Sequence, residues 1–119
     1  MPALVLYRRP NAQRPAVIDD LLGLAEEGRQ EAVDTAILML SDLYLNGHAS
    51  AYAKKLKGVP VWELKSHARG GAKGGMRVYF YFRRDGSVRI VRAESKPGDA
   101  PGPALREAII VAATDHQRS

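Results

Sequence analysis

Three residues in the middle of the chain, Lys65, His67 and Arg77, have the side chains needed to cleave RNA without a metal ion. In that reaction the 2′-hydroxyl of the substrate attacks the neighbouring phosphate, so one group must take a proton and another must give one. Fixed cations stabilise the charge of the phosphorane. Lys65 and Arg77 are the predicted charge stabilisers, and His67 is the predicted proton-transfer residue. A single His beside a glycine-rich stretch is also typical of an ordinary surface residue.

The stretch from Lys54 to Lys96 concentrates the positive charge of the chain. It holds 12 of the 18 Lys and Arg residues and only three of the 13 acidic residues, so its formal charge is +9. The remainder, with six basic and ten acidic residues, carries −4. Such a separation indicates a polyanionic partner, and nucleic acid is the first candidate. The alternative is a solvated strand surface without a partner.

Composition excludes several kinds of site. The chain has no Cys, which excludes disulfides, a thiol nucleophile and thiolate metal ligands. The three His residues lie far apart without carboxylates at ligand spacing, so no metal site and no cofactor are predicted. The segment GGAKGG lacks the spacing and the hydroxyl of a P-loop.

Length and apolar content predict a single domain over residues 1–119, because 119 residues with 45% apolar composition can bury a core. The first ten residues, MPALVLYRRP, contain an apolar run too short for a signal peptide or a membrane span. We therefore expect a soluble cytoplasmic protein with no membrane partner.

The order of the sequence signals predicts an α+β fold. It consists of an N-terminal strand, an antiparallel helix pair, a three-stranded antiparallel meander and a C-terminal helix, with the helices on one face of the sheet. Gly28 and Asn46-Gly47 end the two paired helices, and Asp85-Gly86 makes a hairpin. Ile37 and Tyr44 are predicted for the buried stripe of the second helix. The segment ASAYAKKL is interpreted as a turn of helix.

Alternation along the predicted strands assigns their side chains to two faces. The buried face contains Trp62, Leu64, Met76, Val78, Phe80, Phe82, Val88 and Ile90. The other face is predicted to be open. Because cations bind phosphates and aromatic rings stack on bases, that face suits single-stranded RNA. Its predicted RNA-binding residues, beside Lys65 and Arg77, are Arg69, Lys73, Tyr79, Tyr81, Arg83 and Arg89. Tyr79 and Tyr81 are alternatively plain β-formers in cross-strand pairs.

Three segments, LKGVPVWELKS, GGMRVYFYF and ESKPG, resemble the RelE/ParE superfamily of type II toxins, particularly its HigB-like, phage-derived branch. That family has a K-x-L-x-G segment before a WELR strand, a strand that opens with Arg, and a K-K-T segment before a C-terminal helix. By position, Lys65, Arg77 and Lys96 occupy the phosphate-handling positions, and the resemblance implies that they are catalytic. Pro97 replaces the second basic residue of K-K-T, and Glu94 stands where an aromatic or aliphatic residue is usual.

The resemblance implies a RelE-like fold and a metal-independent, ribosome-dependent mRNA endonuclease that inhibits translation. The implied partners are the ribosome, mRNA and a cognate antitoxin of the helix-turn-helix type. One alternative is a ParE-like toxin that inhibits DNA gyrase without hydrolysis, and another is a degenerate relative that only binds RNA or antitoxin. The resemblance leaves open whether His67, Glu94 or a Tyr transfers the proton.

Overall fold

The structure is a computed structural model that describes residues 1–66, 75–95 and 102–118. The elements occur in the order β1 (Leu4–Leu6), α1 (Ala16–Glu26), α2 (Gln30–Asn46), a short 3-10 turn (Gly47–Ala49), β2 (Ala53–Lys55), β3 (Trp62–Lys65), β4 (Arg77–Phe82), β5 (Val88–Glu94) and α3 (Pro103–Arg118). The predicted α+β class is therefore confirmed.

The strands form one mixed sheet in the order β1-β5-β4-β3-β2. β1 pairs in parallel with β5, and the other pairs are antiparallel. The predicted meander corresponds to β3, β4 and β5, but these three strands are only the centre of the sheet. The segment interpreted as a turn of helix instead supplies β2, because its backbone pairs with β3 from Ala53 to Lys55. Tertiary pairing overrides the weak local preference of this Ala- and Lys-rich segment.

Local signals set the ends of the paired helices, as predicted. α1 begins directly after Pro15, and Gly28 beyond its end has a φ of 78°, a conformation that glycine adopts without strain. α2 ends before Gly47, whose φ is also positive at 54°. The buried stripe of α2 differs from the prediction, because Ile37 and Tyr44 are 53% and 44% exposed.

The main core lies between the helix pair and one face of the sheet. The sheet contributes the inward residues predicted from alternation: Leu64, Met76, Val78, Phe80, Val88 and Ile90, with Trp62 and Phe82 at the edge. The helices contribute Val17, Ala32, Ala36, Met39 and Leu43. Each of the fully buried Val, Leu, Ile, Phe and Met side chains stabilises the fold by about 1.5–3 kcal/mol. The helix pair thus fixes the orientation of the sheet's inner face.

The prediction that all helices lie on one face of the sheet is wrong. α3 packs on the opposite face, where Ala104, Ala108 and Ala112 are buried against Tyr79 and Tyr81. Small side chains every four residues let a helix backbone approach a sheet closely enough to cover two tyrosine rings. The face predicted to be open is consequently a second core.

A β-bulge interrupts the pairing of β4 with β5. Phe80 lies opposite Ile90 and Tyr79 lies opposite Arg92, so Val91 is the additional residue on β5. A bulge of this kind shifts the alternation of every residue that follows it. After the bulge, Arg92 and Glu94 share the face of Tyr79.

Arg92 ties α1 and α3 to the sheet. Its guanidinium donates to both carboxylate oxygens of Asp20 at 2.8 and 2.9 Å and to Glu107 at 2.7 Å. Arg9 donates to the same Glu107 at 2.6 and 2.7 Å. Asp20 also accepts the backbone N–H of Ala93 at 2.9 Å. We call Arg9, Asp20, Arg92 and Glu107 the ionic network; it links the N-terminal segment, both sheet faces and the terminal helix.

Acidification is expected to lower the free energy of unfolding through Glu107. Hydrogen bonding from Arg9, followed by that from Arg92, lowers the pKa of Glu107 in the folded protein despite partial burial. Its stabilising effect is therefore complete above the unfolded pKa of about 4.3 and is lost as pH falls through the lower folded pKa. Urea titrations between pH 7 and pH 3 should show this decline.

The matched variant for that measurement is Glu107→Gln, which cannot titrate. Its stability should be lower at pH 7 and should change less on acidification than that of the wild type. A residual decline is expected from Asp115, whose pKa the hydroxyl of Tyr81 lowers. If the stability of Glu107→Gln fell on acidification as much as that of the wild type, the result would contradict the role of the ionic network.

None of the helices in the described part of the chain is long and apolar enough to cross a membrane. The cytoplasmic location stays a prediction.

Candidate active site at one end of the sheet

Three charged residues form a cross-strand row at one end of the sheet. Lys65 is the last residue of β3, Arg77 the first of β4 and Glu94 the last of β5. Lys65 lies directly opposite Arg77, and Arg77 lies directly opposite Glu94. Directly opposed residues have Cβ atoms about 4.5–5.5 Å apart. We call these three residues the charged row.

The β-bulge is what brings Glu94 into this row. Without the additional residue Val91, the pairing that starts at Phe82 and Val88 would place Ala93 opposite Arg77. The bulge advances β5 by one residue, so the carboxylate of Glu94 takes that place instead. Bulges often redirect a side chain near a functional site in this way.

Backbone contacts fix the two strands that carry the cations. The hydroxyl of Ser66 accepts the N–H of Met76 at 2.8 Å, and the N–H of Ser66 donates to the carbonyl of Met76 at 3.2 Å. The N–H of Lys65 donates to the carbonyl of Tyr52 at 3.1 Å. Pairing therefore continues past both cations, which holds Lys65 and Arg77 side by side.

Two donors orient the carboxylate of Glu94. Its Oε1 accepts the hydroxyl of Tyr79 at 2.6 Å and the backbone N–H of Gly102 at 2.9 Å. A Cβ at Gly102 would overlap this carboxylate, so a larger residue at that position would displace the carboxylate from its present place. The carboxylate of Glu94 is thus fixed in orientation by two hydrogen bonds and does not rotate freely as an exposed surface acid would.

Tyr79 acts as a donor in this arrangement. Burial raises the pKa of its phenol well above the usual value, and the hydrogen bond to Glu94 adds to the rise, while Arg77 opposes it. The phenol therefore stays protonated at neutral pH. A protonated Tyr79 can donate to Glu94 but cannot serve as a base there.

Arg77 is a buried cation with only 6% of its surface exposed, whereas Lys65 is half-buried. A charge in a poorly hydrated position acts more strongly on a nearby anion than an exposed charge does. The surroundings of such a fixed charge also need little reorganisation when negative charge develops on that anion. The pair is suited to stabilising a phosphorane at the sheet end.

The predicted RNA-binding face is not exposed. Tyr79 and Tyr81 are 0% and 1% exposed beneath α3, so neither ring can stack on a base. The hydroxyl of Tyr81 donates to Asp115 at 2.7 Å. Arg83 forms an ion pair with the same Asp115 at 3.0 Å. These contacts hold the terminal helix in place. The predicted exposure of Tyr79 and Tyr81 is wrong, whereas the side chain of Arg83 remains 32% exposed and its contact with RNA stays a prediction.

Arg89 also departs from the prediction. It is half-buried opposite Tyr81, and its buried Nε has no hydrogen-bond partner in the part of the chain that the structure describes. Its charge lies near Asp115, whose carboxylate it helps to keep ionised by lowering the pKa. Four other predicted site residues, His67, Arg69, Lys73 and Lys96, lie outside the described residues.

Two histidines that lie far apart in the sequence line the same cleft. His48 follows α2 and His116 lies near the end of α3, yet both border the same concavity as Trp62. Their wide separation in the chain carries no signal of this proximity. No group of three or more His, Asp or Glu residues that could hold a metal ion occurs within 1–66, 75–95 and 102–118.

The chain matches no family model and no curated protein. Inferences about function consequently depend on the charged row and on the sequence motifs.

Proposed function

We propose that this protein is the toxin of a type II toxin-antitoxin system and cleaves mRNA on the ribosome without a metal ion. The observation that carries the proposal is the charged row, in which Lys65, Arg77 and Glu94 lie on three adjacent strands. Two cations beside an oriented carboxylate provide the base and the charge stabilisers that phosphodiester transesterification needs. The resemblance of the strand motifs to RelE/ParE toxins supports the same function.

In the proposed reaction, Glu94 removes the proton of the substrate's 2′-hydroxyl as this oxygen attacks phosphorus. Lys65 and Arg77 stabilise the negative charge that develops on the phosphorane. The bond from phosphorus to the 5′-oxygen then breaks, and His67, two residues beyond Lys65 in the chain, supplies the proton to that oxygen. The products are a 2′,3′-cyclic phosphate and a free 5′-hydroxyl.

The fixed acceptor position of Glu94 supports its assignment as the base. A general base must lie within hydrogen-bonding reach of the proton that it takes, and its orientation must be set before reaction. Tyr79 and Gly102 supply that orientation through Oε1, and in the proposed reaction the proton is taken by the second carboxylate oxygen. Tyr79 is in this proposal a positioning residue.

Induced expression tests the proposal. We expect growth arrest, and primer extension on ribosome-bound messages should reveal new 5′ ends. Lys65→Ala should reduce cleavage roughly 100-fold, because it removes one stabiliser of transition-state charge. Lys54→Ala is the matched control, since Lys54 is an exposed lysine on the edge strand β2 and should leave cleavage unchanged.

Other outcomes identify the alternative functions. Intact messages together with loss of gyrase supercoiling would instead support a gyrase inhibitor. A protein that causes neither effect, yet binds the product of a neighbouring helix-turn-helix gene, would be a degenerate relative. If the Lys65→Ala and Lys54→Ala variants cleaved RNA equally well, the result would contradict a catalytic role for the charged row.

The proposed partners are a cognate antitoxin, the ribosome and mRNA. The excess positive charge between Lys54 and Lys96 supports binding to polyanions. Binding to ribosomes or RNA through several phosphates should weaken steeply as salt increases. A flat salt response would contradict RNA as the partner.

A further inference from the structure

A second concave surface lies at the opposite end of β4 from the charged row. It encloses about 480 Å³, and its wall includes His48, Lys55, Trp62, Phe82 and His116. Small-molecule sites in proteins commonly enclose about 300–1,000 Å³. Because β4 has six residues, the two ends of the strand are about 17 Å apart. The cleft is therefore separate from the charged row.

Aromatic rings form much of this cleft. The imidazole of His48 stacks on Phe82 with ring centroids 3.6 Å apart, and Trp62 contacts the two rings edge-on at 5.5 and 5.2 Å. His116 contacts Tyr81 edge-on at 5.4 Å. His48 and His116 are exposed, while Trp62 and Phe82 are half-buried. The rings thus line the cleft at the edge of the main core.

The charges around the cleft favour an anion. Lys55 is the charged residue in its wall, and no described carboxylate lines it. A neighbouring depression shares His116 and adds the exposed cation Arg84. That depression also contains two carboxylates. Asp115 is paired with Tyr81 and Arg83, and Asp85 accepts the N–H and the hydroxyl of Ser87.

We propose that this cleft is a nucleotide-binding subsite. An unpaired base would stack on the rings around Trp62 and His48, and its phosphate would contact Lys55 or Arg84. Stacking platforms combined with nearby cations are the common means of binding single-stranded nucleic acid. The nucleotide can come from RNA or from the free pool, and only the RNA source rests on the proposed function.

Trp62 is the sole Trp of the chain, so its fluorescence reports binding at this cleft. Titration with AMP, GMP, CMP and UMP should produce saturable quenching. Ribose 5-phosphate and inorganic phosphate, which lack a base, should bind more weakly by roughly tenfold or more. Equal binding of ribose 5-phosphate and the nucleotides, or no saturable quenching by any of the nucleotides or RNA, would overturn the proposal.

Two variants locate the binding. His48→Ala should weaken nucleotide binding roughly tenfold through loss of a stacking surface. His116→Ala provides a second exposed position on the opposite wall. Tyr44→Ala is the matched control, because Tyr44 is an exposed aromatic residue on α2 outside the cleft. Unchanged affinity in both histidine variants would overturn the assignment.

A short unstructured RNA distinguishes the two sources of the nucleotide. Affinity for RNA far above that for mononucleotides, lost in His48→Ala, would identify a substrate-binding subsite. Similar affinity for both would identify a site for free nucleotides. The titrations are repeated with Glu94→Gln, which should keep nucleotide binding although the proposed cleavage is lost. The experiment therefore distinguishes an error in the proposed cleavage reaction from an error in the proposed nucleotide-binding subsite.

Discussion

Replacing Arg77 by Ala is expected to lower ribosome-dependent cleavage roughly 100- to 1,000-fold and to abolish growth arrest. The reason is its place between Lys65 and Glu94 in the register of the sheet, since in the proposed reaction this cation stabilises the phosphorane. Primer extension on ribosome-bound messages measures the loss. Arg8→Ala removes an exposed arginine that belongs neither to the charged row nor to the cleft, and it should leave cleavage unchanged.

A buried arginine can also matter for folding, so the Arg77 experiment needs a second variant. Arg77→Lys keeps the charge but loses the planar fork of donors. It should recover part of the cleavage lost in Arg77→Ala while thermal unfolding shows both proteins folded. Growth arrest at wild-type level in a folded Arg77→Ala protein would exclude Arg77 from catalysis.

The helix ends and the hairpin were predictable because each depends on a local signal. Gly28 and Gly47 adopt positive φ where the helices end, and Gly86 does so in the hairpin at 87°. The carboxylate of Asp85 accepts the N–H of Ser87 at 2.9 Å, which completes the turn. Such preferences need only a few neighbouring residues.

The covering of the sheet by α3 was not predictable from alternation. A period of two shows that the two faces differ, but it does not show what lies on either face. The sequence pattern is equally compatible with exposed rings that stack on bases and with buried β-forming residues at Tyr79 and Tyr81. Ala104, Ala108 and Ala112 give a weak hydrophobic signal, although together they cover both rings.

The candidate site was predictable only in part. The sequence motifs indicated Lys65 and Arg77, and the register confirms that these residues are neighbours. The proximity of Glu94 depends on a bulge at Val91, and nothing in the local sequence specifies a bulge there. Long-range register of this kind is decided by packing on both faces of the sheet.

The same limit applies to the ionic network, whose partners are far apart in the chain. Arg92 was one of many cations in a basic segment, yet its guanidinium is engaged by Asp20 and Glu107 from helices on both faces. Hydrogen bonds to these carboxylates raise its pKa further above the usual range. This cation is structural and unavailable to RNA.

Arg92→Ala is expected to destabilise the fold by about 3 kcal/mol, because it leaves the partly buried carboxylate of Asp20 without a cation and that of Glu107 with Arg9 alone. The side chains of Asp20 and Glu107 are only 15% and 24% exposed. The melting temperature should fall by about 10 °C or more. Thermal unfolding followed by circular dichroism measures the shift.

Arg14→Ala is the matched control, since it removes another arginine paired with an aspartate of α1. Arg14 donates to Asp19 at 2.8 Å, but the two side chains are 61% and 43% exposed. An exposed ion pair contributes about 1 kcal/mol or less. If Arg92→Ala were as mild as Arg14→Ala, solvent would be screening the ionic network, and the attachment of α3 would depend on its alanine contacts and on the pairing of Tyr81 and Arg83 with Asp115.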